Sequence, residues 1–414
     1  MLKRQLCVLV AFVSWIGGVS AQPTEKKVLF IIVDGISADV MEKVATPHLD
    51  KIAQVGGYTR AYVGGKKEEY SETPTISAVG YNSLLTGTWA NKHNVWDNDI
   101  KDPNYYYWTL FRFLEEQYPE KQSVVFSTWL DNRTKLIGEG RPETGNLKLD
   151  YHFDGFELDT VRFPHDEDRK FIHQIDELVT EEAVRYVRTQ GPDLSWVYLE
   201  YSDDMGHRYG DSAQFYDAVA IADEQVGRLW EAIRHREEHY REEWLIVVTT
   251  DHGRDEATGK HHGGQSNRER SSWIVTNTDQ LNECFKQQEP GIVSIFPTIA
   301  RFLNLDIPQT QAFEIDGIPL IGKISVANLS VAYVDQTIRL NWEAIEKEGN
   351  VKVWLSTTDY FKKGQPDQYQ LIGEIPLAKE EFTIPSQEAA PFFHKIVLEG
   401  PHNSVNRWLI SPHE

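Results

Sequence analysis

Val28-Leu29-Phe30-Ile31-Ile32-Val33, followed at once by Asp34-Gly35, is the stretch of sequence that decides the fold. An uninterrupted apolar run of this length, rich in β-branched residues, is typical of a strand buried on both faces, as in a parallel sheet. Three later runs have the same character and cover residues 123–129, 196–201 and 244–249. Because such strands need helices on both faces of their sheet, the runs predict an α/β domain.

Helical patterns lie between these runs. Residues 211–235 place one apolar side chain at every third or fourth position, through Phe215, Val219, Ala222, Val226, Leu229 and Ile233. That spacing predicts a helix with a single apolar stripe, and residues 169–188 carry a looser version of it. Strands that alternate with helices predict a doubly wound, mostly parallel sheet.

The pattern changes near Gly322. From there to Ile410, short strand-like pieces cover 325–334, 337–342, 351–356, 369–374 and 394–398. Short strands of this kind, separated by turns, predict a small β-sandwich. The piece Ile338–Trp342 resembles the second strand of fibronectin type III domains. We therefore expect an α/β domain over 22–322 and a β-sandwich over 323–414, with the sandwich a candidate for contact with a glycan or a cell surface.

The N-terminus has the features of a secretory signal. Lys3 and Arg4 precede an apolar stretch over 6–16, and Val19-Ser20-Ala21 is a small-residue cleavage site. These features predict a signal peptide over 1–21 and an exported protein, periplasmic or extracellular. An uncleaved anchor is the alternative. No later apolar stretch is long enough to predict a transmembrane segment.

The charge balance limits the class of partner. The 414 residues contain 42 Lys and Arg against 63 Asp and Glu, a formal net charge of −21. A surface this acidic repels phosphate backbones, so general binding to nucleic acid is not expected. A small anionic substrate would need local positive charge, and bound metal ions are one source of it.

Polar side chains cluster where the predicted strands end. In open α/β sheets, ligands bind at the carboxyl ends of the strands. The residues after the apolar runs that are able to bind a metal ion are Asp34, Asp203, His207, Asp251, His252 and His262. Each alone has an ordinary explanation as a turn, cap or surface residue. Together, their carboxylates and imidazoles suit two zinc-like ions better than calcium, which prefers oxygen ligands.

Several hydroxyl groups precede the apolar helical run that ends at Gly87. They lie within residues 73–77. A hydroxyl at a helix N-terminus is well placed as a nucleophile, because the free N–H groups there stabilise negative charge. A helix cap is the alternative explanation for any one of them.

From Val28 to about Leu305 the chain resembles the alkaline phosphatase superfamily, and within it the nucleotide pyrophosphatase/phosphodiesterase branch. The motifs that carry the resemblance are Ile32-Val33-Asp34-Gly35, Thr46–Asp50, Leu84-Leu85-Thr86-Gly87, the pair Asp203 and His207, Asp251-His252, and His262-Gly263. Family members place the nucleophile seven residues before the first leucine of the third motif, which is Ser77 here. Asn98 has the position of the family's phosphate-contacting Asn.

The resemblance implies a two-metal hydrolase. One divalent ion would be held by Asp34, Asp251 and His252 and would contact the Ser77 oxygen as a further ligand. The other would be held by Asp203, His207 and His262, and zinc is the expected metal. It also implies a covalent seryl intermediate. The N–H of Ser77 or Ala78 and the Asn98 amide would hold the non-bridging oxygens of a small phosphate-ester substrate.

Three departures bear on the substrate. Most members of the branch use Thr where this chain has Ser77, so Thr75 stays open as an alternative nucleophile. Nucleotide-hydrolysing members follow the nucleophile with Phe, whereas this chain has Ala78, and Tyr105–Trp108 are an alternative aromatic wall. Residues 77–81 also lack the Pro and Arg that sulfatases need to form formylglycine.

The chain has no clear cation in the position that neutralises a monoester dianion, which favours diesters. Lys92 and Lys101 flank Asn98, and Arg254, Lys260, Arg268 and Arg270 have no assigned role. The runner-up is a monoesterase or a sulfate or phosphonate ester hydrolase of the same superfamily. A binding protein on the same fold is the third hypothesis.

Overall fold

The computed structural model describes residues 24–384 and 393–410. Its largest element is a seven-stranded sheet with the order β2-β7-β6-β1-β5-β3-β4. The strands are β1 (Glu25–Val33), β2 (Gly57–Tyr62), β3 (Ser123–Ser127), β4 (Tyr151–Phe153), β5 (Leu194–Leu199), β6 (Glu242–Thr249) and β7 (Ser271–Thr276). Strands β6, β1, β5, β3 and β4 run parallel, and β7 and β2 add an antiparallel edge. The predicted α/β class with a mostly parallel sheet is confirmed.

The helices cover both faces of this sheet. They are α1 (Ala38–Met41), α2 (Pro47–Val55), α3 (Ser77–Thr86), α4 (Ala90–His93), α5 (Leu110–Gln117), α6 (Lys170–Gln190), α7 (Tyr201–Tyr209), α8 (Ala213–His239), α9 (Glu283–Gln287), α10 (Ile295–Phe302) and α11 (Gln309–Ala312). Short 3-10 turns cover Pro142–Thr144, Phe156–Leu158, Ile292–Ser294, Phe361–Lys363 and Leu377–Lys379, and a π-helical turn covers Asn132–Ile137. The two predicted helices correspond to α6 and α8.

Strand β1 shows why its apolar run is continuous. Its side chains alternate between two hydrophobic cores: Val28, Phe30 and Ile32 belong to one, and Leu29, Ile31 and Val33 to the other. All six are buried. Helices α6 and α8 pack on the second core, and α3, α5 and α10 pack on the first. A polar residue anywhere in the run would therefore face apolar side chains.

The C-terminal part of the chain forms two antiparallel sheets. One has the order β12-β9-β8 and the other β11-β10-β13-β14. The strands are β8 (Val326–Val334), β9 (Thr337–Ala344), β10 (Asn350–Ser356), β11 (Gln370–Pro376), β12 (Glu381–Ile384), β13 (Phe393–Glu399) and β14 (Ser404–Ile410). Apolar residues of both sheets share one core. The five predicted pieces match β8, β9, β10, β11 and β13, whereas β12 and β14 were not predicted.

The structure bears on the prediction about transmembrane segments but not on the predicted signal peptide. Within 24–384 and 393–410, every helix is too short or too polar to cross a bilayer. The predicted signal peptide over 1–21 lies outside the described residues.

Candidate functional site

Three adjacent strands bring the predicted ligands together. Strand β1 lies between β5 and β6, so the carboxyl ends of these strands are neighbours. Asp34 directly follows β1, Asp203 and His207 lie on α7 after β5, and Asp251-His252 follow β6. Parallel pairing therefore places these five side chains at one edge of the sheet, as predicted.

His262 reaches the same edge from the loop between β6 and β7. Its Nδ1 lies 2.9 Å from the carbonyl oxygen of Thr75. The Thr75 hydroxyl accepts a hydrogen bond from the Gly263 N–H and donates one to the Gly264 carbonyl, both at 2.9 Å. Thr75 thus fastens the His262 loop to the segment that leads into α3.

Ser77 is the first residue of α3, and its side chain is buried in the site. Its Oγ lies 3.3 Å from His252 Nε2. Gly80 lets α3 approach this closely, since a Cβ at Gly80 would lie 2.6 Å from the Asp251 carbonyl oxygen. The helix N-terminus therefore presents the Ser77 hydroxyl to the ligand cluster.

The first group of candidate ligand atoms surrounds His252 Nε2. Asp34 Oδ1 and Asp251 Oδ2 each lie 3.3 Å from this nitrogen. Both oxygens are buried, and neither has a hydrogen-bond partner among the residues that the structure describes. His252 Nδ1 is 2.9 Å from the Gly253 carbonyl, an arrangement that places the proton on Nδ1 and leaves Nε2 as an acceptor. Two buried carboxylate oxygens without partners, facing an imidazole nitrogen, fit a cation site.

The second group consists of Asp203, His207 and His262. Asp203 Oδ2 lies 3.2 Å from His207 Nε2, and the Nε2 atoms of His207 and His262 are 3.0 Å apart. Asp203 also links the two groups, because its Oδ1 lies 4.0 Å from His252 Nε2. Asp34, Asp203 and His252 are in fact close enough to hold one ion, as are Asp203, His207 and His262. The chemistry of these donors fits two adjacent divalent ions.

Burial and charge perturb the pKa values of the first group. Burial and the nearby Asp203 charge raise the pKa of Asp34 to about 7. Burial and the charge of Asp34 raise the pKa of Asp251 well above its usual range. Burial lowers the pKa of His252, so its imidazole is neutral. Divalent charge would stabilise both carboxylates in their ionised form.

The opposite shift occurs at Asp203. Burial alone would raise its pKa, but the Arg254 guanidinium and the His207 imidazole hold it well below the usual range. The hydrogen bond to Asp203 in turn raises the pKa of His207. Asp203 is therefore an ionised carboxylate at the centre of the cluster.

Two tyrosines beside Asp34 were missed by the sequence analysis. The hydroxyls of Tyr81 and Tyr198 both donate to Asp34 Oδ2, the second at 2.7 Å. This leaves Asp34 Oδ1 for the site. Tyr81 lies on α3 and Tyr198 on β5. In the sequence both have the pattern of ordinary core aromatic residues, so no sequence signal indicates their contact with Asp34.

Asp176 was missed as well. This buried residue of α6 accepts hydrogen bonds from the backbone N–H groups of Glu200 and Tyr201, at 3.1 and 2.8 Å. These groups lie at the N-terminus of α7, so Asp176 caps the helix that carries Asp203. Burial raises the pKa of Asp176 to about 7.

Asn98 and Ala78 meet, but in a way that changes the expected contact. The Ala78 N–H donates to Asn98 Oδ1 at 3.0 Å. The Ala78 N–H, one of the two backbone donors expected to contact phosphate, is therefore bonded to Asn98 in this structure, and its contact with phosphate stays a prediction. The Asn98 Nδ2 group remains as the donor that this pair offers.

Four of the six unassigned cations bond groups of the protein outside the proposed ligand set. Lys92 is buried and bonds Asp316 and the Glu314 carbonyl. Arg268 bonds Asp39 and Asp211, and Arg270 bonds carbonyl groups of Gly64 and Gly65. The exposed Lys101 pairs with Asp99 at 2.9 Å.

The aromatic group Tyr105–Trp108 is partly structural. Tyr107 is buried and packs on Phe361, with ring centroids 5.0 Å apart. Trp108 packs on Phe113 at 5.2 Å. Tyr106 is 49% exposed and is the member that is open to solvent.

Comparison with known proteins agrees with this geometry. The type I phosphodiesterase / nucleotide pyrophosphatase family matches residues 28–298. Human ectonucleotide pyrophosphatase/phosphodiesterase family member 5 is 23% identical over 239 residues, which are 56% of this chain and 46% of that protein. Member 7 of Rattus norvegicus is 23% identical over 265 residues, 61% of this chain and 55% of that protein. The chain thus spans about half the length of the curated relatives that it matches.

A solved structure of an inactive variant of murine ectonucleotide pyrophosphatase/phosphodiesterase 5, in complex with AMP, is also similar. It aligns with a TM-score of 0.46 and 15% identity, over 69% of this chain and 96% of that chain. The family match covers most of the sheet, α3 and every ligand-bearing segment described above. The chain therefore belongs to the type I phosphodiesterase/nucleotide pyrophosphatase family of phosphoric ester hydrolases.

Proposed function

We propose that this protein hydrolyses phosphodiesters of small molecules, with Ser77 as the nucleophile. The observation that carries the proposal is the position of the Ser77 hydroxyl: it starts α3 and lies 3.3 Å from His252 Nε2, beside two buried carboxylate oxygens without partners. The Ser77 oxygen would attack phosphorus in line with the leaving alcohol, forming a seryl ester that water then hydrolyses. Splitting the displacement into two steps lowers the barrier of each.

The residues that would hold metal are divided between two sites. Asp34, Asp251 and His252 would bind one ion and Asp203, His207 and His262 the other, with zinc the expected metal. When bound, the two ions would lower the pKa of the Ser77 hydroxyl and stabilise the entering and leaving oxygens. The tyrosines on Asp34 Oδ2 and the Gly253 carbonyl on His252 Nδ1 would keep the opposite atoms of both ligands directed into the site.

Asn98 would hold the phosphate. Its Oδ1 is fixed by the Ala78 N–H, so the orientation of the amide is set before substrate binds. The Nδ2 group can then donate to a non-bridging oxygen, whose negative charge grows in the transition state. Ala78 has no ring that could stack on a nucleotide base, so it does not indicate which organic groups the substrate carries.

Diesters are favoured over monoesters by the disposition of the cations. A monoester dianion carries one more negative charge, which needs a further cation near the metals. Lys92, Arg254, Arg268 and Arg270 each bond carboxylates or carbonyl groups within the protein. Asn98 is a neutral donor that matches the single charge of a diester.

The proposals on export, domain division and the role of the sandwich rest mainly on the sequence. We propose export to the periplasm or the extracellular space on the basis of the signal over 1–21. We further propose a catalytic domain over 22–322 and a fibronectin type III-like sandwich over 323–414. The three-stranded and four-stranded antiparallel sheets around one core support the sandwich. A glycan or cell-surface contact by this part is a proposal that rests on the sequence alone.

The test is kcat/KM of the zinc-loaded protein on bis-p-nitrophenyl phosphate compared with p-nitrophenyl phosphate. A ratio well above one is expected. A ratio well below one would make the protein a monoesterase, and inactivity on both would direct attention to sulfate and phosphonate esters. Zinc content measured on the same sample distinguishes a wrong substrate from an unoccupied metal site.

A further inference from the structure

Arg254 is a fully buried arginine whose side chain lies behind the proposed metal site. Its Nε donates to the Gly35 carbonyl at 2.9 Å, and its Nη2 donates to the Asp203 carbonyl at 2.8 Å. Nη2 also donates to Asp203 Oδ1, and Nη1 to the Lys260 carbonyl at 3.4 Å. All three nitrogens of the guanidinium therefore donate hydrogen bonds.

The acceptors belong to different ligand-bearing segments. Gly35 directly follows Asp34, and Lys260 lies two residues before His262. Asp203 is itself a proposed ligand, and Arg254 lies two residues after His252. One side chain therefore connects all four segments that would hold metal. A planar fork of five donors can do this, whereas a point charge cannot.

Two glycines keep the space for this guanidinium. A Cβ at Gly206 would lie 2.1 Å from Arg254 Cζ, and a Cβ at Gly35 would lie 2.6 Å from Nη2. Gly35 also has a φ of +68°, which favours glycine. The backbones of the β1 end and of α7 thus approach Arg254 more closely than any other residue type allows.

The bond to Asp203 also decides how that carboxylate is shared. Oδ1 is engaged by Arg254, while Oδ2 lies 3.2 Å from His207 Nε2. The Oδ1 atom that Arg254 engages is also the one that lies 4.0 Å from His252 Nε2. Because Arg254 occupies this oxygen, loss of Arg254 would free it for an ion held by Asp34 and His252, which already form a possible ion site with Asp203.

We propose that Arg254 is a positioning residue that commits Asp203 to the metal site of His207 and His262 and holds the four ligand segments in register. The inference rests on the proposed two-metal function. Its action is indirect, because every contact above is with protein atoms and the side chain is closed to solvent.

The experiment measures zinc binding alone, by calorimetric titration of metal-stripped full-length protein. Wild type is expected to show two binding events. His207→Ala and Asp34→Asn each remove one ligand group and so assign each event to its site. In Arg254→Gln, the event assigned to the His207 side should weaken by about 10- to 100-fold, the range for residues that orient metal ligands. The other event should change much less.

Two further variants keep the test decisive. Arg254→Lys retains the charge but not the fork, so its affinity should fall between Arg254→Gln and wild type, and it remains informative if Arg254→Gln does not fold. Arg268→Gln is the matched control, because Arg268 lies in the same loop but pairs with Asp39 and Asp211 instead of a ligand. It should bind zinc as wild type does.

Activity gives a second readout. The kcat of Arg254→Gln should recover as zinc is raised past its weakened Kd, which loss of general structure would not allow. Wild-type affinity in both Arg254 variants would overturn the inference while leaving the proposed function intact. Wild-type protein that binds no zinc would overturn both.

Discussion

Asn98 Oδ1 accepts a hydrogen bond at 3.0 Å from the backbone N–H of Ala78, the residue that follows Ser77. The bond ties an exposed side chain to the first turn of the helix that begins at the proposed nucleophile. It fixes which end of the Asn98 amide is left for substrate, and it makes the role of Asn98 testable.

Asn98→Asp should keep the acceptor for the Ala78 N–H but replace the donor with a second carboxylate oxygen, which repels phosphate. We expect kcat/KM on bis-p-nitrophenyl phosphate to fall about 100- to 1000-fold, the scale for loss of one transition-state donor. Asp97→Asn is the control in the same segment and should stay close to wild type. Wild-type kinetics in Asn98→Asp would remove Asn98 from the site.

Ser77→Ala should abolish turnover, by about 10⁴-fold or more, because loss of a nucleophile removes the covalent route. Circular dichroism and the melting temperature should match wild type, and Ser77→Thr should retain activity. Thr75→Val should cost less, because the Thr75 hydroxyl bonds Gly263 and Gly264 instead of facing substrate. The reverse ranking of Ser77→Ala and Thr75→Val would make Thr75 the nucleophile.

Chelation of metal should lower the melting temperature, and zinc should restore it in a concentration-dependent way. The physical reason is that the buried carboxylates of Asp34 and Asp251 lie close together without a cation, as their raised pKa values reflect. Asp251→Asn removes one of the two charges. It should therefore melt higher than wild type in chelator and respond less to zinc, and equal melting with and without chelator in wild type would contradict the site.

Asp176 predicts a pH dependence of stability. Burial raises its folded pKa to about 7 from an ordinary 3.8, so the folded state holds a proton that the unfolded state has lost. The contribution of Asp176 to stability is then full below about pH 4 and is lost as pH rises to about 7. Wild type should lose stability relative to Asp176→Asn between pH 5 and pH 7.5, in urea titrations at fixed zinc, and a constant difference would refute the shift.

Lys395 tests the junction between the α/β part and the C-terminal sheets. It is buried and pairs with Glu314 at 3.0 Å and Asp367 at 2.7 Å. Lys395→Met should lower the free energy of unfolding by about 3–5 kcal/mol, because two buried carboxylates lose their partner. The control is Lys352→Met: that lysine is 45% exposed and 3.8 Å from Glu399, so the change should cost about 1 kcal/mol or less.

Much of the fold followed from short-range patterns. The run Val28–Val33 predicted a strand buried on both faces because each face meets its own core. The antiparallel edge formed by β2 and β7 was not predicted, since pairing direction depends on where the chain returns. Strand β14 was missed because Asn406 and Arg407 interrupt its apolar pattern in order to contact Ile315 and Glu69 of the α/β part.

The sequence predicted those residues of the site that belong to recognisable motifs. Every proposed ligand lies at the expected edge, because parallel strands bring their carboxyl ends together. Arg254 was named only as one of several unassigned cations, and its contacts were not predicted, nor were those of Tyr81 and Asp176. Each bonds a segment distant in sequence, and no local pattern encodes such a bond. The hydrogen bond between the Ala78 N–H and Asn98 was not predicted either, and a contact of the Ala78 N–H with phosphate stays a prediction.

The segment that matches the family is shorter than the segment needed to pair its buried charges. The family match ends at residue 298, yet the buried ammonium of Lys92, inside that match, is neutralised by Asp316 and bonded by the Glu314 carbonyl and Asn406. Lys92 lies on α4, six residues before Asn98. A gene fragment that encodes only 28–298 would leave the Lys92 ammonium without these three partners, close in sequence to the proposed phosphate-binding residue Asn98. A recombined gene or a truncated protein that contains the proposed active site would therefore also need the later residues that bond Lys92, which are Glu314, Asp316 and Asn406.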